Sequence, residues 1–171
     1  MASHRIRQLG DPVLREVSRR IEDPAETRAV LDDLRDTLHE FQRTHGFGRG
    51  ISAVQIGKPV RVIYMEFEGT PYGLVNPEFE WLSEEKFRMW DDCFSFPELM
   101  VWLERSVSVR LRYADQQGAT RLLEAGGSLS ELIQHEMDHL DGILAIDRVI
   151  GREGFATREE WQRHLSLSGP R

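Results

Sequence analysis

Cysteine is nearly absent from this 171-residue chain. Cys93 is the single one, which excludes an internal disulfide and leaves its thiol as a buried small hydrophobe, a reactive group or a metal ligand. Long hydrophobic runs are missing as well, and no stretch reaches the length needed to cross a membrane. Basic charge is in deficit: 22 Lys and Arg stand against 29 Asp and Glu, and a net charge of -7 argues against DNA as the partner. The start, Met1-Ala2-Ser3-His4-Arg5, has no apolar signal core, so the chain is expected to remain in the cytoplasm where it is made. Repeats, linkers and low-complexity tracts are also lacking. With 40% hydrophobic and 30% charged residues, a single globular domain over 1–171 is expected.

What is present is concentrated in Gln134-His135-Glu136-Met137-Asp138-His139-Leu140-Asp141-Gly142. On a helix, His135 and His139 lie one turn apart on one face, so both imidazoles reach one metal ion while Glu136 stands beside them as a base. Leu129, Leu132, Ile133, Met137 and Leu140 supply the apolar positions of that helix. Ser128 and Glu131 have capping-box spacing at its start, and Gly142 supplies a left-handed stop. Asp138 is expected to pair with a base such as Arg105.

Along the rest of the chain, Asp23-Pro24-Ala25-Glu26 is a helix start, and the helix should run to about His45, burying Val30, Leu31, Leu34, Leu38 and Phe41. Ahead of it, Ile6 to Val17 reads as a lead-in that docks Val13, Leu14 and Val17 on the core without chemistry of its own. Gly48-Arg49-Gly50-Ile51-Ser52-Ala53-Val54-Gln55-Ile56-Gly57 reads as a glycine-punctuated loop of small residues where backbone comes close to a substrate. Strands are expected over Val60 to Phe67, over Tyr72 to Asn76 with a stop at Pro77, over Phe87 to Trp90, over Val107 to Tyr113, and around Leu122 and Leu123. Thr157-Arg158-Glu159-Glu160 opens a short helix through Leu165, after which Ser168 to Arg171 should fray. Strands followed by the His helix give an α+β class: small antiparallel or mixed sheets packed around a central helix, with an N-terminal and a short C-terminal helix.

A catalytic site of this type needs a third protein ligand and one open position. The extended motif with a third His fails, because that position is Ala145. Glu159 and Glu160 fall in the window of a metallopeptidase that takes a downstream Glu. Cys93, in Asp91-Asp92-Cys93-Phe94-Ser95, offers a thiolate that binds divalent metals strongly. The residues by themselves leave both alternatives open.

Three segments in order, Gly48 to Gln55, Asp91 to Ser95 and Gln134 to His139, together resemble the three signature motifs of the peptide deformylases. The likeness extends to Asp11-Pro12-Val13-Leu14-Arg15 and Leu140-Asp141-Gly142-Ile143-Leu144, so it spans all but about the last twenty residues. The resemblance implies that Cys93, His135 and His139 hold one divalent ion, Fe(II) natively, with Zn(II), Ni(II) or Co(II) able to take its place. It implies that Glu136 shuttles the proton, and that the Gln55 amide and the Phe94 N–H stabilise the developing oxyanion. The substrate would be an N-formylmethionyl peptide or a related N-formyl compound, and the ribosome a partner.

Four positions depart from the family's pattern. Asp91-Asp92 stands where Glu-Gly is usual, Arg49 where an aliphatic residue lines the methionine pocket, and Glu131 where an apolar or basic residue is usual. With Gly48 and Gly50 they make six expected substrate contacts, and Arg49, Asp92 and Glu131 together imply a more polar pocket than formyl-methionine needs. The non-catalytic alternative is a member of the same fold kept for binding.

Overall fold

The structure, a computed structural model, describes residues 3–166 and 169. Asp23 accepts a hydrogen bond from the Ala25 N–H and starts α1 (Pro24–His45), which stops where Gly46 turns left-handed. Its five expected apolar residues are all buried. A five-stranded antiparallel sheet follows, ordered β1-β2-β3-β6-β7, from β1 (Gly50–Ser52), β2 (Val62–Phe67), β3 (Thr70–Leu82), β6 (Ser108–Ala114) and β7 (Thr120–Gly126). A second antiparallel sheet contains β4 (Lys86–Asp92), β5 (Leu99–Ser106) and β8 (Phe155–Thr157). The His helix is α2 (Gly127–Leu140), and α3 (Arg158–His164) is the short C-terminal helix.

Strand β2 shows how the layers are built. Successive side chains point to opposite faces, so Val62 and Tyr64 pack with Leu31, Leu34 and Leu38 of α1, while Ile63 and Met65 pack with Leu132, Ile133, Met137 and Leu140 of α2. A third cluster joins Leu14, Cys93, Phe96, Val101, Leu103 and Leu144 under the smaller sheet. Helix α2 is therefore the element on which the rest is assembled, and eleven of its residues, Ser130 through Leu140, are buried.

Several local expectations change. Gly126, not Ser128, caps α2, and no side chain closes that end, so the Ser128–Glu131 capping box does not form. Glu131 is turned inward instead. The glycine-rich stretch is not all loop: Gly50–Ser52 pairs with Ile63–Met65, and Ala53–Ile56 makes a tight 3-10 turn. Strand β3 continues through Pro77, because a register shift between Val75 and Glu78 takes the imide out of the ladder, with Asn76 at φ 49°. Val17 is 73% exposed, so only Leu14 of the lead-in is a true core residue. Strand β5 escapes a reading by alternation because much of it is buried on both sides. The fraying expected at Ser168, Pro170 and Arg171 lies outside the described residues.

Candidate metal centre

Helix α2 supplies His135 and His139, and the bend after β4 supplies Cys93. All three are buried, and one ligand atom from each lies within 4.8 Å of the others. The Cys93 Sγ is 3.2 Å from the His139 Nε2. Glu159 and Glu160 are exposed on α3 and paired with Arg163, so they do not converge here. Among the described residues, the group able to hold a metal is Cys93, His135 and His139.

The fit to a divalent ion can be read from the donors. The His135 Nδ1 lies 2.9 Å from an Asp91 carboxylate oxygen, which fixes that nitrogen as the donor and leaves Nε2 toward the centre. Burial alone would depress the His135 pKa, but attraction and a hydrogen bond to Asp91, then Cys93, outweigh it and hold it well above the ordinary value. The extra proton this favours belongs on the nitrogen that a metal would take instead. Burial, then the positive field of His135, holds His139 well below its ordinary value, as a neutral imidazole. One thiol and two imidazoles without any water-facing carboxylate suit a transition metal rather than calcium or magnesium.

Behind the ligands runs a chain of charge, buried from Asp91 through Arg105 to Asp138 and reaching the surface at Arg148. Asp91 accepts from Arg105 at 3.2 Å, Arg105 also pairs with Asp138, and Arg148 grips both Asp138 oxygens at 2.5 Å. Burial tends to raise the Asp91 pKa, yet His135 and Arg105 lower it to about 2. The expected Asp138–Arg105 pair is present. Gln134 fastens the same helix to β5, exchanging hydrogen bonds with the Ser106 N–H and carbonyl at 3.0 and 2.9 Å.

Glu136 is 3% exposed. The Ser52 hydroxyl donates to its Oε2 at 2.5 Å, and burial raises its pKa despite the opposing pull of His135 and Ser52. Gly50 is needed beside it, since a Cβ there would fall 2.9 Å from the Glu136 Oε1. Gln55 is equally fixed. Its Oε1 accepts the Ser52 N–H at 2.9 Å, so its amide N–H groups point to the Ser95 hydroxyl (3.3 Å) and the Cys93 Sγ (3.7 Å). The Phe94 ring stacks on Phe41 at 3.8 Å, while its backbone N–H donates to no group among the described residues.

The cavity beside these groups has a volume of about 440 Å³. Its walls include every expected substrate contact, namely Gly48, Arg49, Gly50, Asp91, Asp92 and Glu131, together with Gln55, Cys93, Phe94, His135 and Glu136. Four features were not visible in the sequence. Ser52 and Ser95 reach the site only through the tight turn after β1 and the Cys93 bend. Arg158, at the start of α3, lines the cavity and pairs with Asp92, supplying the cationic partner that a carboxylate at that position demands. The lead-in also serves the site: Arg7 and Leu9 donate to the Gln55 and Ser95 carbonyls at 2.8 Å, and Gln8 donates to the Phe94 carbonyl at 3.2 Å.

Metal-dependent hydrolysis is the class of chemistry that this frame and this donor set define, with a buried carboxylate and an oriented amide at the mouth of a cavity. Comparison with known proteins narrows it. The family model described as polypeptide deformylase matches residues 3–154, and the chain belongs to that family. A peptide deformylase of Phenylobacterium zucineum is 38% identical over 155 residues, covering 87% of this chain and 89% of the relative. The crystal structure of the Thermotoga maritima peptide deformylase superposes with a TM-score of 0.83 at 30% identity, covering 88% of this chain and 100% of that one. The Synechococcus elongatus peptide deformylase, solved in complex with actinonin, gives 0.80 at 31% identity, covering 97% and 86%. The family's general activity is metal-dependent removal of formyl groups from peptides. Among the described residues, no helix is long and apolar enough to cross a membrane.

Proposed function

We propose that this chain, acting as one domain, removes the formyl group of N-formylmethionyl or related N-formyl peptides at a Cys93-His135-His139 centre. The observation that carries the reading is the convergence of that donor set with Glu136 and Gln55 on one cavity wall. Fe(II) is the ion we assign, because a thiolate with two imidazoles accommodates it, and Zn(II), Ni(II) or Co(II) as well. When bound, such an ion polarises the formyl carbonyl and makes water nucleophilic near neutral pH.

The chain's own groups do the rest. Glu136, held by Ser52 and raised in pKa by burial, takes the proton of the attacking water and hands it to the leaving amine. The Gln55 amide and the Phe94 N–H donate to the carbonyl oxygen as it gains charge, each donor worth a few kcal/mol, roughly 3 to 4 at most. Both are held in place before substrate arrives, Gln55 by Ser52 and the Cys93–Phe94 peptide by the Phe96 N–H, which donates to the Cys93 carbonyl. Gly48, Arg49, Gly50, Asp91, Asp92 and Glu131 line the substrate's path. A nascent formylated N-terminus places the work at the ribosome, in the cytoplasm.

The test is anaerobic loading with Fe(II), Ni(II) or Zn(II), followed by formate release from formylmethionyl peptides and other N-formyl compounds. Formate and free amine are expected in equal amounts. Inactivity on every formyl compound with metal bound overturns the reading and leaves a binding protein of the same fold.

A further inference from the structure

One wall of the cavity carries an ion pair that the chemistry above does not use. The Arg49 Nη2 lies 2.8 Å from the Glu131 Oε2, joining the glycine-rich segment to α2, and the Arg49 Nη1 is 3.4 Å from the Ser128 carbonyl. Glu131 is 2% exposed, whereas the Arg49 side chain is 42% exposed at the rim. If Arg49 swung into water it would strand a buried carboxylate, so the pair stays in the wall.

Its place matters because of the geometry of a formylated amino acid. With the formyl carbon beside Cys93 and the two histidines, the amide nitrogen and Cα leave the first side chain only a few bonds from the reacting atom. The space open to that side chain is the adjoining cavity, and Arg49 and Glu131 form part of its wall. The charge there is balanced. Arg49 offsets Glu131, and Arg158 offsets Asp92 while its guanidinium rests 4.3 Å from the Phe47 ring centroid. A charged side chain therefore finds no unpaired counter-charge in either pair. An apolar one covers an ion pair, taking water from it and returning no hydrogen bond. A side chain that offers an acceptor to the guanidinium and a donor to the carboxylate satisfies both.

We propose that Arg49 and Glu131 make this site favour formylated peptides whose first side chain is a neutral donor–acceptor group, the carboxamide of glutamine or asparagine, over the thioether of methionine. The inference rests on the deformylase reading and deepens it.

The experiment measures kcat/KM for formate release by the metal-loaded full chain on formyl-Gln-Ala-Ser, formyl-Met-Ala-Ser, formyl-Glu-Ala-Ser and formyl-Lys-Ala-Ser. The glutamine peptide should lead the methionine peptide by at least about tenfold, with the difference in KM. In the double variant Arg49→Ile/Glu131→Ile the order should invert. Glu131→Gln, which keeps the side chain's shape, should shrink the glutamine advantage. Metal content checks that each variant is folded. A wild-type preference for methionine or for either charged side chain overturns the proposal, as does an order unchanged in both variants. Formate from none of the peptides overturns the deformylase reading itself, a result distinct from a wrong order.

Discussion

Ser52 shows how a residue acquires a role through distance rather than type. Its hydroxyl lies 2.5 Å from the Glu136 carboxylate, and its N–H fixes the Gln55 amide, so one turn of backbone orients two groups of the mechanism. The Ser52→Ala substitution removes a charge-assisted hydrogen bond worth about 1.5 to 3 kcal/mol in the ground state. Part of that is expressed at the transition state, and kcat should fall about tenfold with metal content unchanged, as steady-state kinetics beside metal analysis would show. Asp91 makes the complementary case, orienting a ligand it never replaces. Asp91→Asn should weaken metal binding about tenfold to a hundredfold, measured by competition against a chelator. At this scale the pair His135 and His139 was legible because helical spacing is a local property. Ser52, Ser95 and Arg158 were not, because their partners lie far along the chain.

Helix α2 carries two of the three ligands between two sheets, and its end depends on a glycine. Gly142 sits at φ 71°, and a Cβ there would fall 2.6 Å from the Arg15 carbonyl oxygen. Gly142→Ala is expected to cost more than about 1 kcal/mol, seen as a lower midpoint in thermal or urea unfolding. The stop at Gly142 was legible from the residue alone, as was α1 with its Asp23-Pro24 start. The start of α2 was misread because Ser128 and Glu131 have the right spacing for a cap, yet the helix begins at Gly127 under a Gly126 cap, which puts both residues inside it. Strand β3 was cut short at Pro77 for a similar reason. A proline ends a regular ladder, whereas the bulge that tolerates one is set by pairing with β6.

Across the whole molecule, buried charge links the site to acid stability. Asp91 titrates at about 2 in the folded chain against an ordinary 3.8, because His135 and Arg105 outweigh the effect of its burial. Its contribution to stability is therefore complete above about 4 and lost as pH falls toward 2. Urea unfolding of the metal-free chain across that window should show the loss, and Asp91→Asn should remove that part of the slope. The α+β frame and the ordered motifs could be read from the sequence, but the choice between Cys93 and Glu159 or Glu160 as third ligand could not be made from spacing. It depends on the bend after β4 reaching α2 while α3 stays at the surface.

That choice is the centre of the account, and Co(II) loading tests it most directly. Wild-type chain and Glu136→Gln should each bind one Co(II) with a thiolate-to-cobalt charge-transfer band, only the wild type releasing formate at full rate, while Cys93→Ala loses the band and most of the metal. A band that survives in Cys93→Ala, or metal lost only when Glu159 or Glu160 is replaced, would contradict it.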